Sequence, residues 1–131
     1  MDLITVDREE GQQFKIRVRG HEVSSDMSEQ DGGRDAGLAP AEMLAGSLGA
    51  CIAMMVQSYC DSHGYTDGDV EVSVTIDLVD NPKRVGGFAV DVELPDGFPE
   101  ERIDAVKRVA ELCPVHETLR TPPRIDIEFV R

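Results

Sequence analysis

Positive charge is what this chain has least of. Thirteen Lys and Arg stand against 26 Asp and Glu in 131 residues, a net charge of −13, and no basic block interrupts the excess. A phosphate backbone would be repelled, which argues against nucleic-acid binding; an acidic surface mainly serves solubility. The start, MDLITVDREEG, has neither a basic region nor an apolar run, so no secretory signal is read there and cytoplasmic residence is expected. Three cysteines, an odd number, do not make a closed disulfide framework. In a reducing compartment they read as thiols, catalytic groups or ligands. Internal repeats and low-complexity segments are missing as well. A chain of this length fits one domain, residues 1–131, able to bury a core without metal or disulfide staples.

Charge of either sign is missing between Met43 and Cys60, in a chain that is 30% charged overall. That run lies inside Pro40–Gly64, PAEMLAGSLGACIAMMVQSYCDSHG, around which the rest of the chain is organised. Leu44, Leu48, Cys51, Met55 and Tyr59 recur at intervals of three and four, the spacing of one helical stripe. Gly46, Gly49, Ala50 and Ala53 occupy the other sides. The helix therefore reads as packed all round, with small residues where another backbone comes close. Pro40 suits a first turn and Gly64 a left-handed helix end, which gives about 20 residues, or ~30 Å. A membrane span competes for so long an uncharged run. Two Gly, two Ser and a Gln dilute it, however, and no basic flank orients it. A buried central helix explains the same residues better, and a second copy of the chain is expected to help bury it.

Before that helix, Leu3–Val6 and Phe14–Val18 read as two strands joined by a polar Asp7–Gln13 turn, with His21–Ser25 as a third, weaker strand. From Asp26 to Ala39 the composition shifts to Gly, Asp, Ser and Glu, a loop feeding the helix. After it, Val70, Val72, Val74, Ile76 and Leu78 alternate with polar residues, as do Phe88, Val90, Val92 and Leu94. These runs predict a hairpin turned over Asp80–Gly87. Pro99-Glu100-Glu101 opens a second helix with an apolar stripe of Ile103, Val106, Ala110 and Cys113, and Pro114 ends it. A short helix restarts over Val115–Leu119, and Arg124–Val130 closes the chain as a strand with Ile125, Ile127 and Phe129 on one side. The whole is α+β, with largely antiparallel sheets packed on a central helix.

Cys51 and Cys113 both fall on apolar helix stripes, where a free cysteine packs as a small hydrophobe. The functional reading starts with Cys113. If a helix begins at Pro114, this thiol lies at its N-terminus, where free N–H groups favour a thiolate, and a thiolate near a second thiol is a redox pair. Cys60 stands nine residues beyond Cys51, a rotation of ~900°, so it points to the opposite side and reads as a bystander. Cys113-Pro-Val-His116 has the gap of a chelating pair, but a structural zinc site needs two such pairs and no second exists. No metal is expected. His21 and His63 lack partners at motif spacing and read as surface or capping residues. Glu42 heads the uncharged helix, either as a carboxylate favoured by the helix dipole or in a catalytic role. With no phosphate-cradling loop and no nucleophilic Ser elbow, no cofactor is expected.

Gly32-Gly33, Asp35, Gly37, Pro40, Glu42 and the run Leu44 to Cys51 resemble the GGxDxGxxPxEllxxxLxxC segment of the OsmC/Ohr superfamily. Cys113-Pro114-Val115-His116 with Thr118-Leu119 resembles its second-cysteine motif, CPVHxTL, and the order of elements fits over essentially the whole chain. The resemblance implies an intertwined homodimer with active sites at the subunit interface. It also implies cysteine-based reduction of hydroperoxides, with Cys51 in the peroxidatic and Cys113 in the resolving position and an external dithiol as reductant. In the organic-hydroperoxide branch a Glu directly follows the Pro, whereas here Ala41 takes that place and Glu42 comes one residue later. The Arg that pairs with the reactive thiolate in those branches has Arg17, Arg19 and Arg34 as candidates here. Two functions therefore stand at this point: a two-cysteine thiol peroxidase, and a non-peroxidatic protein that binds a small apolar ligand or handles thiols on the same scaffold.

Overall fold

The computed structural model describes residues 2–131 and has a mixed α+β architecture of small antiparallel sheets and three helices. The chain divides into two compact units, residues 1–46 with 76–88 and residues 47–75 with 89–131.

In the first unit, β1 (Thr5–Glu10), β2 (Gln13–Val18) and β3 (His21–Ser25) form a sheet in sequence order. β1 runs four residues beyond the expected Val6, through Asp7-Arg8-Glu9-Glu10, so the predicted polar turn contracts to Gly11-Gln12. Cross-strand charge is the reason. Arg17 reaches Asp7 at 3.1 Å and Glu22 at 3.0 Å, and Lys15 lies 3.7 Å from Glu9 and 3.5 Å from Glu22, so a polar segment still has partners opposite it.

The loop after β3 is irregular but tightly built. Asp26, only 2% exposed, accepts N–H bonds from Met27 (2.8 Å), Arg34 (3.1 Å) and Ala36 (3.1 Å). Ser25 bridges to Leu38, which returns the chain to the edge of β3. Gly33 is required by close approach, since a Cβ there would meet the Met27 carbonyl and sit 2.6 Å from Asp26 Oδ1.

α1 covers Pro40–Ser62 and is long and apolar enough, by length and composition, to cross a membrane. Its buried stripe is Ala45, Leu48, Ile52, Val56 and Cys60, rotated about one residue from the expected Leu44, Leu48, Cys51, Met55 and Tyr59. A helix that is apolar on nearly every side gives the sequence pattern no phase to follow. Within the second unit Gly49 lies against β4 (Glu71–Val79): an added Cβ would be 3.1 Å from Val74 Cγ2. The helix is not covered all round within the chain, because Gly46, Ala50, Met54 and Ser58 are exposed along the other side.

β4 pairs with β5 (Arg84–Glu93). Gly86 and Gly87, expected in the turn, belong to β5, and the turn is the shorter Asp80–Lys83. Gly86 lies so close to the Val79 side chain (2.7 Å from an added Cβ to Cγ1) that any side chain there would force Val79 to shift. A 3₁₀ turn, Glu100–Arg102, leads into α2 (Ile103–Glu111), which buries Val106 as its stripe predicts. α3 (Pro114–Arg120) follows immediately. The expected strand over Arg124–Val130 is not formed: the segment is exposed throughout, Phe129 at 96%, and among the described residues no strand pairs with it. Alternation supplies an apolar face, but a strand also needs a neighbour for its backbone hydrogen bonds.

Candidate functional site

Cys113 is the N-cap of α3, with extended backbone (φ −54°, ψ 125°) between two helices. Pro114 dictates this, since its ring disfavours helical geometry at the preceding residue and suits the first helical position itself. The cap places Cys113 Sγ where the His116 N–H donates to it at 3.4 Å. The side chain is fully buried. Across from it, from the middle of α1, comes Cys51, half-buried, its side chain close enough to act on the Cys113 thiol. Two thiols 62 positions apart in sequence thus meet within the second unit, and neither is in a disulfide.

Burial pushes the Cys113 thiol above its ordinary pKa, and the Cys51 side chain pushes the same way; the N–H groups of His116 and Val115 oppose them without prevailing. This overturns the expectation that the helix N-terminus alone would favour a Cys113 thiolate. A sulfur with no exposure loses more by leaving water than two backbone donors return. His116 meets the thiol through its backbone, while its ring Nδ1 lies 3.0 Å from the Glu111 carbonyl at the end of α2. The residue thereby ties the end of one helix to the start of the next. Thr118 adds a 2.7 Å bond to the Pro114 carbonyl.

Cys60 is fully buried on the core stripe, its pKa raised by burial and then by Asp61. Glu42 belongs to the first unit, where its carboxylate accepts the Ala39 N–H at 2.9 Å, half of a capping box at the start of α1. The three arginines are also engaged in that unit: Arg17 as above, Arg19 with Asp2 at 3.7 Å, and Arg34 with Glu10 at 3.0 Å and Gln13 at 2.9 Å. His21 is exposed on β3 and His63 caps the end of α1, its Nδ1 2.8 Å from the Tyr59 carbonyl. An open groove of about 750 Å³ lies along Ala53, Met54, Gln57, Ser58, Asp61, Ser62 and Val70. It includes neither thiol of the pair, and four of these seven residues are polar.

Two features escaped sequence reasoning. Asp26 looked like one more loop acid, although an Asp at a strand end before a Gly-rich loop is a signal for side-chain bonds to following N–H groups. The other is the cluster of Tyr59, His63, Tyr65 and Phe98, with Tyr59 stacked on His63 at 4.0 Å and Tyr65 edge-on to Phe98 at 5.1 Å. The hydroxyl of Tyr59 is buried there without a partner.

Comparison with known proteins follows the same lines. Among curated proteins none matches by sequence. Solved structures do match. An osmotic-stress-induced and detoxification response protein of Psychrobacter arcticus superposes with a TM-score of 0.82 at 17% identity, covering 90% of this chain and 88% of its own. An OsmC-like protein from Mycoplasma pneumoniae gives 0.78 at 19%, covering 93% and 89%. An organic hydroperoxide resistance protein OsmC from Legionella pneumophila gives 0.64 at 19%, covering 92% and 89%. Identities this low establish a shared fold. The model of the OsmC-like protein family matches residues 29–128, from the pinned loop through both cysteine motifs and α3, and the chain belongs to that family.

Proposed function

We propose that the protein is a cytoplasmic, homodimeric thiol peroxidase that reduces hydroperoxides with Cys51 and Cys113. The observation that carries this reading is the side-chain contact between a half-buried thiol on a rigid helix and a fully buried one at a helix break. The Cys51 thiolate attacks the terminal oxygen of R–O–O–H; the O–O bond breaks, RO⁻ leaves and takes up a proton, and Cys51 becomes a sulfenic acid. Cys113 then attacks that sulfur and expels hydroxide, which leaves as water, to give the Cys51–Cys113 disulfide. An external dithiol reduces it. Glu42 holds the first turn of α1 and so supports the helix that presents Cys51. The name of the Legionella relative, an organic hydroperoxide resistance protein, points toward the same substrate class and a role in oxidative stress.

Dimerisation is supported by the apolar surface the chain leaves uncovered: Met54 at 71% on α1, and Ile125, Ile127 and Phe129 in the closing segment. Stable interfaces bury on the order of 800 Å² per partner, and sedimentation at micromolar concentration tests for the dimer. Peroxide consumption, measured with hydrogen peroxide and alkyl hydroperoxides in the presence of a dithiol, tests the activity. Turnover that disappears in Cys51→Ser is the expected result. A second reading, a thiol-handling or ligand-binding protein without peroxidase activity, draws on the three arginines, each of which is paired with a carboxylate rather than a thiol. Absence of peroxide consumption selects it.

A further inference from the structure

The two sulfurs of the pair are not equivalent to a molecule arriving from outside. Cys113, at the N-cap of α3, has no exposed surface at all, and Cys51 is only half-buried. A partner subunit can cover more of either residue but cannot uncover Cys113. Thiol–disulfide exchange is an in-line displacement at sulfur, so the attacking thiolate has to reach one sulfur from the side opposite the other. Cys113 has no exposed surface through which that approach could run, whereas half-buried Cys51 keeps some.

We infer that the reductant enters at Cys51 and that Cys113 is the leaving group, an inference that rests on the two-cysteine reading above. The attacking thiolate, RS⁻, forms a bond to Cys51 Sγ. The Cys51–Cys113 bond breaks with its electron pair going to Cys113, which departs as a thiolate and then takes up a proton. The products are a Cys51–S–S–R mixed disulfide and a Cys113 thiol. The departing sulfur remains beside the His116 N–H, 3.4 Å away, in a site whose burial disfavours the anion, so access and not leaving-group acidity sets the direction of attack. Its buried thiol then re-forms in the state that the folded protein prefers. A dithiol completes the cycle: its second thiolate attacks its own sulfur in the mixed disulfide, closes a ring and releases Cys51 as a thiolate. The residue that meets the oxidant is thus also the residue that meets the reductant. Selection among reductants is accordingly exercised by the surroundings of Cys51, and a thiol too bulky to approach α1 at that point is excluded whatever its reduction potential.

The test separates this step from peroxide chemistry by forming the disulfide with diamide, which oxidises a thiol pair directly. The full-length protein, oxidised and freed of diamide, is mixed with N-acetylcysteine. It is quenched after short intervals with acid and then N-ethylmaleimide, and digested for peptide mass mapping. Essentially all early adduct is expected as N-acetylcysteine on Cys51, with maleimide on Cys113. N-acetylcysteine on Cys113 or Cys60, with Cys51 alkylated, overturns the inference, as does failure of diamide to link the Cys51 and Cys113 peptides. A diamide-formed link with the Cys51 adduct, in a protein that consumes no peroxide, leaves the inference standing and removes only the peroxidase reading.

Discussion

Asp26, where β3 gives way to its loop, and Cys113, where α2 gives way to α3, stand in comparable places. Each is buried at the end of an element and takes backbone N–H groups from the residues that follow. Burial alone would raise the pKa of both. At Asp26 the N–H groups of Ala36, Met27 and Arg34, with the charge of Arg34, outweigh it and hold the carboxyl below its ordinary range. At Cys113 burial wins and the thiol is pushed up. A full negative charge meeting three donors makes a joint with one stable arrangement. A sulfur whose burial outweighs its weaker donors makes a looser joint, of the kind the proposed thiol chemistry would need.

The comparison is most severely strained by Asp26→Ala, which leaves three buried donors without an acceptor. A fall in Tm of roughly 10 °C is expected, at the large end of single-residue effects; a calorimetric Tm equal to wild type would show that the loop holds itself. Next in size is the response to pH. The folded pKa of Asp26 lies below the unfolded value of about 3.9, so its contribution is complete above that value and is lost as pH falls through the folded one. Asp26→Asn should flatten the acid limb of the Tm–pH curve. Cys113 works in the opposite direction. Its folded pKa lies above the unfolded value of about 8.5, so its contribution is complete below that and is lost as pH rises through the folded value. Cys113→Ser should flatten the alkaline limb, with a residual slope from Cys60, whose pKa is also raised.

At neutral pH the Cys113→Ser change should be mild for stability, within about 1 kcal/mol in urea titration, because Ser is a good N-cap. Intact mass after one equivalent of cumene hydroperoxide should then no longer show the loss of two hydrogens expected of the wild type. The smallest effect belongs to Cys60→Ala, which should leave that loss and its rate unchanged, since Cys60 lies nine residues along α1 from Cys51, on the other side of the helix. A changed rate would mean that the buried stripe of α1 is coupled to the pair.

Much of this was legible in the residues. The paired motifs around Cys51 and Cys113 and the proline between helices announce themselves locally, and the helix restart at Pro114 followed from the ring's geometry alone. What was not legible depended on partners distant in sequence. The phase of α1 needed the strand it packs on, and the reach of β1 needed the charges of β2 and β3 opposite it. The sign of the Cys113 shift needed its burial, which no local pattern states. Arg124–Val130 shows the converse, a strand pattern that has no ladder partner among the described residues.

The unequal burial of the three cysteines also turns the molecule into its own clock. With no tryptophan, fluorescence has little to report, but a slow alkylating reagent reads three depths at once. Cys51 is modified in the native state. Cys113, at an elbow closed by a few hydrogen bonds, is modified when α3 briefly lifts. Cys60, fully enclosed in the stripe of the long helix, waits for the whole structure to open. The ratio of the last two rates is a direct measure of how much more often the elbow opens than the protein unfolds.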